Sequence, residues 1–377
     1  MSNSPKKILF LTGTRADFGK IKSLIQTLEE QQDFEVFVFV TGMHLQEIYG
    51  YTLIEIERCN FTNVFTFENH THETTMDLTL AKTIEGLSNY CKTINPDMIV
   101  VHGDRVETLA GAIVGSLNNI LVAHIEGGEV SGTVDELIRH SVSKLSHIHF
   151  VSNKEAAKRL IQMGEVKESI FTIGSPDIDI MFSSNLPSLE TAKEYYGIPF
   201  NKFAVVMFHP VTTEFNSMKD YAATFVDCLL EDNHNYIVIF PNNDLGSQFI
   251  IDEFKRLEEN KRFRIFPSLR FEYFLTLLKN SQFIIGNSSA GIREAPYYGI
   301  PIINIGTRQQ NRAIHADIMN VDYLEKNIKE ALSKIDSHKV QVSENDFGQG
   351  NSNELFLQSI KKDDIWQLNH QKQFRDI

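Results

Sequence analysis

The chain has 377 residues and a formal net charge of −13 at pH 7. That length suits two domains and buries roughly 75% of the unfolded surface, so no disulfide or metal staple is required. The charge argues against a nucleic-acid partner, which would need a basic stripe, but leaves room for an anionic small ligand held by a few arginines.

Short β-rich runs alternate with helical patterns. Residues 8–12 read as a strand, and the helix that follows places Ile21, Leu24, Ile25 and Leu28 on one face. Residues 34–41, 98–102, 121–125 and 149–151 repeat the strand signal. Each run is near-continuously apolar, as expected of strands buried on both faces. Residues 175–187, rich in Ser, Asp and Pro, read as a linker. Beyond it, residues 203–208, 236–240, 263–266, 283–285 and 302–305 form a second strand series. Polar residues 344–353 lead to a last helix with Leu355, Phe356 and Ile360, then a polar tail expected to be loosely held. Such alternation predicts parallel βαβ units with right-handed crossovers. The expected fold is α/β with two Rossmann-like domains, residues 1–178 and 179–354, with residues 355–377 a helix and tail returning to the first.

The three cysteines, Cys59, Cys91 and Cys228, are widely spaced and read as small buried hydrophobes in a reducing compartment. The polar start shows no signal peptide, and no apolar run reaches the roughly 20 residues of a membrane span. A cytoplasmic protein without membrane contact is therefore expected.

Polar residues follow nearly every strand. Thr14-Arg15-Ala16-Asp17, Gly103-Asp104-Arg105 and Glu126-Gly127-Gly128 do so in the first half. His209-Pro210, Pro241-Asn242-Asn243-Asp244, Gly286-Asn287-Ser288-Ser289 and Gly306-Thr307-Arg308 do so in the second. Open α/β sheets bind ligands at that edge.

The most informative of these turns opens the stretch from His124 to His140. Two glycines let the backbone turn tightly, and Glu126, Glu129, Asp135 and Glu136 crowd one turn, with Arg139 and His140 one helical turn later. Crowded carboxylates hold pKa values apart, as acid and base roles require. The plainer reading is an acidic helix start.

Gly286 to Gly291 joins a strand to a helix through small residues, which let free N–H groups approach a phosphate. Glu294 lies beyond the cap and could accept from ribose hydroxyls. As structure alone, Ser288 would be an N-cap. Arg15, Arg105 and Arg308 lie at strand exits, where guanidinium forks suit phosphate oxygens and where surface ion pairs are also common. His209 ends a strand at the same edge; His124 reads as structural, and His102 and His147 have no assignment. There is no Gly-x-Gly-x-x-Gly after the first strand, no Walker sequence, and no zinc or EF-hand spacing. No metal and no redox cofactor are expected.

Together these motifs, with Gly13, Gln309 and the run His209-Pro210-Val211-Thr212-Thr213, resemble the hydrolysing UDP-N-acetylglucosamine 2-epimerases. These include the bacterial sialic-acid enzymes and the epimerase half of the bifunctional animal enzyme. The resemblance spans residues 7–359 in order. It implies a GT-B fold with UDP in a cleft between two Rossmann-like domains, and release of UDP and N-acetylmannosamine with consumption of water. Arg15-Ala16-Asp17 and the Glu-Gly-Gly-Glu loop side with the hydrolysing group, since non-hydrolysing relatives typically carry Gly-Thr-Arg-Pro-Glu at the first turn. Gly19 departs from the animal enzyme, which has a serine there near the nucleotide. Carried over, UDP would be bound by Arg15, Gly19, Arg105, His209, Asn242, the backbone at Leu269, Ser288, Ser289, Glu294 and Arg308. Asp104, Glu126 and Asp135 match the carboxylates considered catalytic, and His209 is grouped with them.

The chemistry requires such a set. Weakening the C1–O bond acidifies C2–H, so a carboxylate can take that proton while cations stabilise departing UDP. The product is 2-acetamidoglucal; water then adds at C1 as a proton returns to the opposite face of C2. The expected partner is a UDP-sugar, and the expected assembly a homo-oligomer, dimer or tetramer, serving sialic-acid precursor synthesis for a capsule polysaccharide. Competing readings are the same reaction on UDP-2,4-diacetamido-2,4,6-trideoxyglucose, a GT-B glycosyltransferase, or a non-catalytic UDP-sugar sensor.

Overall fold

The apolar runs become parallel strands. The computed structural model describes residues 4–70, 75–130, 134–309, 317–340 and 347–375. The chain divides into two units. Met1–Glu129, Asp135–Ser183 and Asn345–Ile377 form the first; Val130–Val134 and Ser184–Glu344 form the second.

In the first unit the strands are β1 (Lys6–Thr12), β2 (Phe34–Val40), β3 (Val64–Thr66), β4 (Met98–His102), β5 (Leu121–Ile125), β6 (Ile148–Val151) and β7 (Ile170–Thr172). Their order is β3-β2-β1-β4-β5-β6-β7, all parallel. Helix Arg15–Glu29 buries Ile21, Leu24, Ile25 and Leu28, the face expected from the sequence. Each such side chain contributes roughly 1.5–3 kcal/mol, enough to seat the helix on the sheet. Phe356 and Ile360 of helix Ser352–Ile360 join the same core, beside Phe10 and Phe150.

The second unit contains β8 (Ala204–Met207), β9 (Tyr236–Ile239), β10 (Phe263–Phe266), β11 (Ile284–Gly286), β12 (Ile302–Ile305) and β13 (Ile318–Val321). Their order is β10-β9-β8-β11-β12-β13, again parallel. In each sheet the order reverses once, between β1 and β4 and between β8 and β11, which is where open α/β sheets open a crevice at the strand ends.

Two sequence expectations change. The stretch 175–187 is not linker throughout: Pro176–Met181 is a helix whose Asp177, Ile178 and Met181 are buried in the first unit, and the division falls at Ser183 rather than at 178. Proline at the first helical position explains the helix start. The tail is not loose either. Lys372 Nζ donates to the backbone carbonyl of Ser146 at 2.6 Å and to Glu165 at 2.5 Å, and His147 Nε2 lies 3.0 Å from the carbonyl of His370. Burial raises the pKa of Glu165, but His149, Lys372 and Lys144 around it outweigh burial and hold it down at about 2. Of the polar stretch 344–353, residues 344–346 lie outside the described residues. Among the described residues no helix is long and apolar enough to cross a membrane.

Candidate active site

The first site turn is built on Asp17. Its carboxylate accepts from the backbone N–H of Gly13 at 3.0 Å and of Thr14 at 3.2 Å, and from the Thr12 hydroxyl. Thr14 Oγ1 accepts from the Asp17 N–H in return, a capping box that starts helix Arg15–Glu29. Burial pushes the Asp17 carboxyl up to about 6, although the Thr12 and Gly13 hydrogen bonds pull it down. Arg15 opens the helix, 3.6 Å from Glu55, and Gly19 is buried one turn later.

At the end of β4, Gly103 turns with φ +78. The Thr108 hydroxyl donates to the carbonyl of His102 at 2.8 Å, and Arg105 takes the N-cap position of helix Val106–Leu117. His124, on neighbouring β5, braces this turn from within. Its Nε2 lies 2.8 Å from the carbonyl of Gly103 and its Nδ1 3.1 Å from Ser143 Oγ, and burial lowers its pKa to about 3. The ring is therefore neutral at physiological pH.

After β5 the backbone of Glu126 takes φ +63, a left-handed conformation rare outside glycine. Gly128 follows at φ +76; a Cβ there would sit 2.3 Å from the carbonyl oxygen of Ala156, so only glycine fits. The Glu126 carboxylate is 2% exposed. Its Oε1 accepts from Ser175 Oγ. Its Oε2 lies 3.2 Å from His102 Nε2 and 3.7 Å from Lys20 Nζ, and Lys20 is 3.1 Å from Asp177. Arg139 donates one terminal nitrogen to the backbone carbonyl of Glu126 and pairs the other with the Asp104 carboxylate. Asp135 stands four residues before Arg139 on helix Val134–Leu145, on the same face. It lies inside the first turn rather than at the cap, where the positive helix end favours its charge. Arg139 thus gathers Asp104 and the Glu126 turn directly, with Asp135 one helical turn away. Glu129 is tied elsewhere, accepting from Ser152 Oγ at 2.8 Å.

In the second unit the hub is Asn287, a motif residue not assigned a role from sequence. Gly286 before it has φ +137, and a Cβ there would lie 2.0 Å from the carbonyl oxygen of Met207. The Asn287 side chain accepts from the N–H of His209 at 2.6 Å and donates to its carbonyl at 2.8 Å. The Asn287 carbonyl accepts from Gln309 Nε2 at 2.8 Å and from Arg308 Nη1 at 3.4 Å. His209 Nδ1 accepts from the N–H of Asn242 at 3.0 Å. His209, Asn242 and Arg308 therefore meet around one buried amide. Ser289, rather than Ser288, takes the N-cap position of helix Ala290–Tyr297; Ser288 Oγ accepts from the Ala290 N–H at 3.3 Å. Glu294 is buried in that helix, and Leu269 is buried before helix Phe271–Lys279.

Sequence reasoning missed Lys20, His102, Ser175 and Asp177. Lys20 looks like an ordinary helix-surface charge, and Asp177 and Ser175 fell in the stretch read as linker. No local pattern marks them; the packing of helix Pro176–Met181 against helix Arg15–Glu29 brings Lys20, Ser175 and Asp177 to Glu126, and the pairing of β4 with β5, His102 opposite Ile125, brings His102.

Two parallel α/β sheets, each with polar residues at its strand ends, give the chain two Rossmann-like units of the GT-B-like class. Residues 26–361 match the family model described as UDP-N-acetylglucosamine 2-epimerase, and the chain belongs to that family. It is 49% identical over 375 residues to the UDP-N-acetylglucosamine 2-epimerase of Neisseria meningitidis serogroup B, covering 99% of each chain. It is 34% identical over 365 residues to the hydrolysing UDP-N,N'-diacetylbacillosamine 2-epimerase of Legionella pneumophila, covering 94% of this chain and 96% of the relative. Among solved structures, the Methanocaldococcus jannaschii UDP-GlcNAc 2-epimerase in complex with UDP-GlcNAc and UDP shares the fold with TM-score 0.80 at 21% identity, over 94% of this chain and 99% of that one.

Proposed function

We propose that this chain is a hydrolysing UDP-N-acetylglucosamine 2-epimerase, converting UDP-N-acetylglucosamine and water to N-acetylmannosamine and UDP. The observation that carries the reading is the gathering of carboxylates about Arg139: Asp104 paired to its guanidinium, Glu126 held by its backbone, and Asp135 one turn away. A reaction that removes a proton from one face of C2 and returns one to the other needs at least two such groups. Glu126 and Asp104 are held in place by buried partners, so little rearrangement is needed as charge develops. The 49% identity to the Neisseria enzyme supports N-acetylglucosamine as the sugar.

In this reading Arg308, Ser288 and Ser289 take the phosphates, Glu294 the ribose, and Leu269 offers backbone contacts, with His209 and Asn242 beside them. Arg15, Gly19 and Arg105 are assigned to the same nucleotide. Asp104, Glu126 and Asp135 exchange protons with the sugar, with His209 grouped among them. Elimination breaks C2–H and C1–O, forms the C1=C2 bond of 2-acetamidoglucal, and releases UDP with the C1–O electron pair. Hydration then adds water oxygen at C1 and a proton at C2 on the opposite face. We place the enzyme in the cytoplasm as a homo-oligomer supplying a sialic-acid precursor.

The test is incubation with UDP-N-acetylglucosamine in heavy water, with products read by NMR. Equal amounts of UDP and N-acetylmannosamine, with deuterium at C2, are expected. Intact UDP-N-acetylmannosamine as end product would overturn the hydrolysing assignment. A second reading, the same reaction on UDP-2,4-diacetamido-2,4,6-trideoxyglucose, draws support from the 34% identical Legionella relative. Turnover of that sugar alone would favour it.

A further inference from the structure

His102 closes β4, and nothing above gives it a part in the reaction. It is 7% exposed, its Nε2 lies 3.2 Å from Glu126 Oε2, and neither ring nitrogen completes a hydrogen bond. Buried polar groups are ordinarily hydrogen-bonded, so a buried imidazole in this state beside an active-site carboxylate calls for an explanation. The titratable groups around it come from three elements. Asp17 acts on it from helix Arg15–Glu29, Glu126 from the turn after β5, and His124 from β5 itself. Lys20 shares the same Glu126 oxygen but at 3.7 Å, and it is closer, at 3.1 Å, to Asp177.

Glu126 has a problem that its burial creates. A carboxyl that exchanges a proton with the sugar must recover its starting protonation state before the next cycle. At 2% exposure it has almost no contact with solvent through which to do so. His102 is the titratable side chain nearest its Oε2 among the pairs described. The ring can donate to the carboxylate or accept from the carboxylic acid, and these are the two states of a proton transfer.

We propose that His102 is the proton partner of Glu126, carrying on Nε2 the proton by which Oε2 regains its starting state, between that oxygen and solvent, once in each turnover. The proposal rests on the epimerase reading. In elimination the C2 proton passes to a carboxylate as UDP leaves with the C1–O electron pair. In hydration a carboxylic acid protonates C2 from the other side, and the water that bonds to C1 releases its own proton to the surrounding water. One carboxyl ends the cycle a proton richer and another a proton poorer. His102 changes no atom of this balance: where Glu126 ends a proton richer, its O–H bond breaks as the N–H bond at His102 forms, and that proton then passes to water; where it ends a proton poorer, the same bonds change in the opposite order, with water re-protonating the ring. Because it acts through Glu126 rather than on the sugar, His102 is a positioning and relay residue.

The test compares wild type with His102→Gln and His102→Ala, on UDP-N-acetylglucosamine and on the diacetamido sugar. Glutamine keeps a polar group in place but cannot carry a proton. His102→Gln should lose on the order of 10²-fold in kcat, with KM within about threefold and UDP affinity by calorimetry unchanged. One limb of the wild-type pH–rate profile should be missing in that variant. Added imidazole should restore turnover in His102→Ala, in proportion to the free base present. A kcat for His102→Gln within about threefold of wild type, or a loss with an unaltered pH profile and no imidazole rescue, overturns the proposal. If neither variant folds by circular dichroism, a proton inventory on the wild type decides: a curved plot is expected, and a linear one counts against the relay. Wild type inert on both sugars overturns the epimerase reading itself, and the relay falls with it; an active wild type with an indifferent variant overturns the relay alone.

Discussion

Arg139 pairs one guanidinium nitrogen with the Asp104 carboxylate and points the other at the backbone carbonyl of Glu126. A planar fork with two donors in fixed relation can serve both partners, whereas a lysine ammonium is a single point charge. Arg139→Lys should therefore keep the fold and lose on the order of 10²-fold in turnover, because small misplacements of reacting groups cost that much. Arg139→Met leaves Asp104 without its pair and should cost about 3–5 kcal/mol of stability, read by urea unfolding. Wild-type kinetics in a folded Arg139→Lys would show that the fork has no bearing on the chemistry.

The carboxylates themselves should separate chemistry from binding. Asp104→Asn, Glu126→Gln and Asp135→Asn keep size but lose proton exchange, and each should drop on the order of 10²–10⁴-fold in kcat. UDP affinity should move far less. A variant stalled after elimination should release 2-acetamidoglucal, and the residue concerned then belongs to the hydration step. Near-wild-type turnover in all three folded variants would remove the proton-transfer assignment.

In the second unit, Arg308→Ala and Ser288→Ala should each weaken UDP binding, by roughly 1.5–3 kcal/mol for a charge-assisted contact. Asn287→Ala should weaken it as well, by at least tenfold in Kd or about 1.4 kcal/mol. Its amide fixes both backbone groups of His209, and its carbonyl receives Arg308 and Gln309. Isothermal titration with UDP checks all three. Unchanged affinity throughout would move the nucleotide away from the second unit.

The clamp around Glu165 makes a pH prediction. Its pKa is held at about 2, below the ordinary 4.5, by His149, Lys372 and Lys144 against the effect of burial. A depressed carboxylate contributes stability above its unfolded value and loses it as pH falls through the folded one. The contribution, about 3 kcal/mol at neutral pH, should therefore fade between pH 4.5 and about 2. His149, whose pKa burial lowers from 6.5, acts in the same direction on acidification. Glu165→Gln should melt well below wild type at pH 7, with the gap closing as pH falls below 4.5. A gap independent of pH would assign the loss to packing alone.

Strands buried on both faces were legible because they are near-continuously apolar; β4, β5 and β12 match the sequence reading residue for residue, and so does β10, an edge strand in which Phe263 is buried. The strands left unread, β3, β7 and β13, are short edge strands too, but unlike β10 they have no buried position. Nothing forces such short, half-covered segments into an apolar run. The strand-end motifs were legible because glycines and charged residues cluster there. The cradle of Glu126 was not, since Lys20, Ser175 and Asp177 become neighbours only when helix Pro176–Met181 returns to helix Arg15–Glu29.

The backbone of Glu126 has a consequence for how this protein can fail. At φ +63 the residue occupies ground where glycine or asparagine would sit with less strain, a difference of roughly 1 kcal/mol or more. Mutation at this position therefore meets two opposed slopes: relief for the main chain, and loss of the carboxylate that the proposed reaction would use. A glycine there would free the main chain but leave Ser175, His102 and Lys20 without the carboxylate they now meet. The relaxed main chain and the abandoned partners Ser175, His102 and Lys20 thus pull the stability of such a variant in opposite directions.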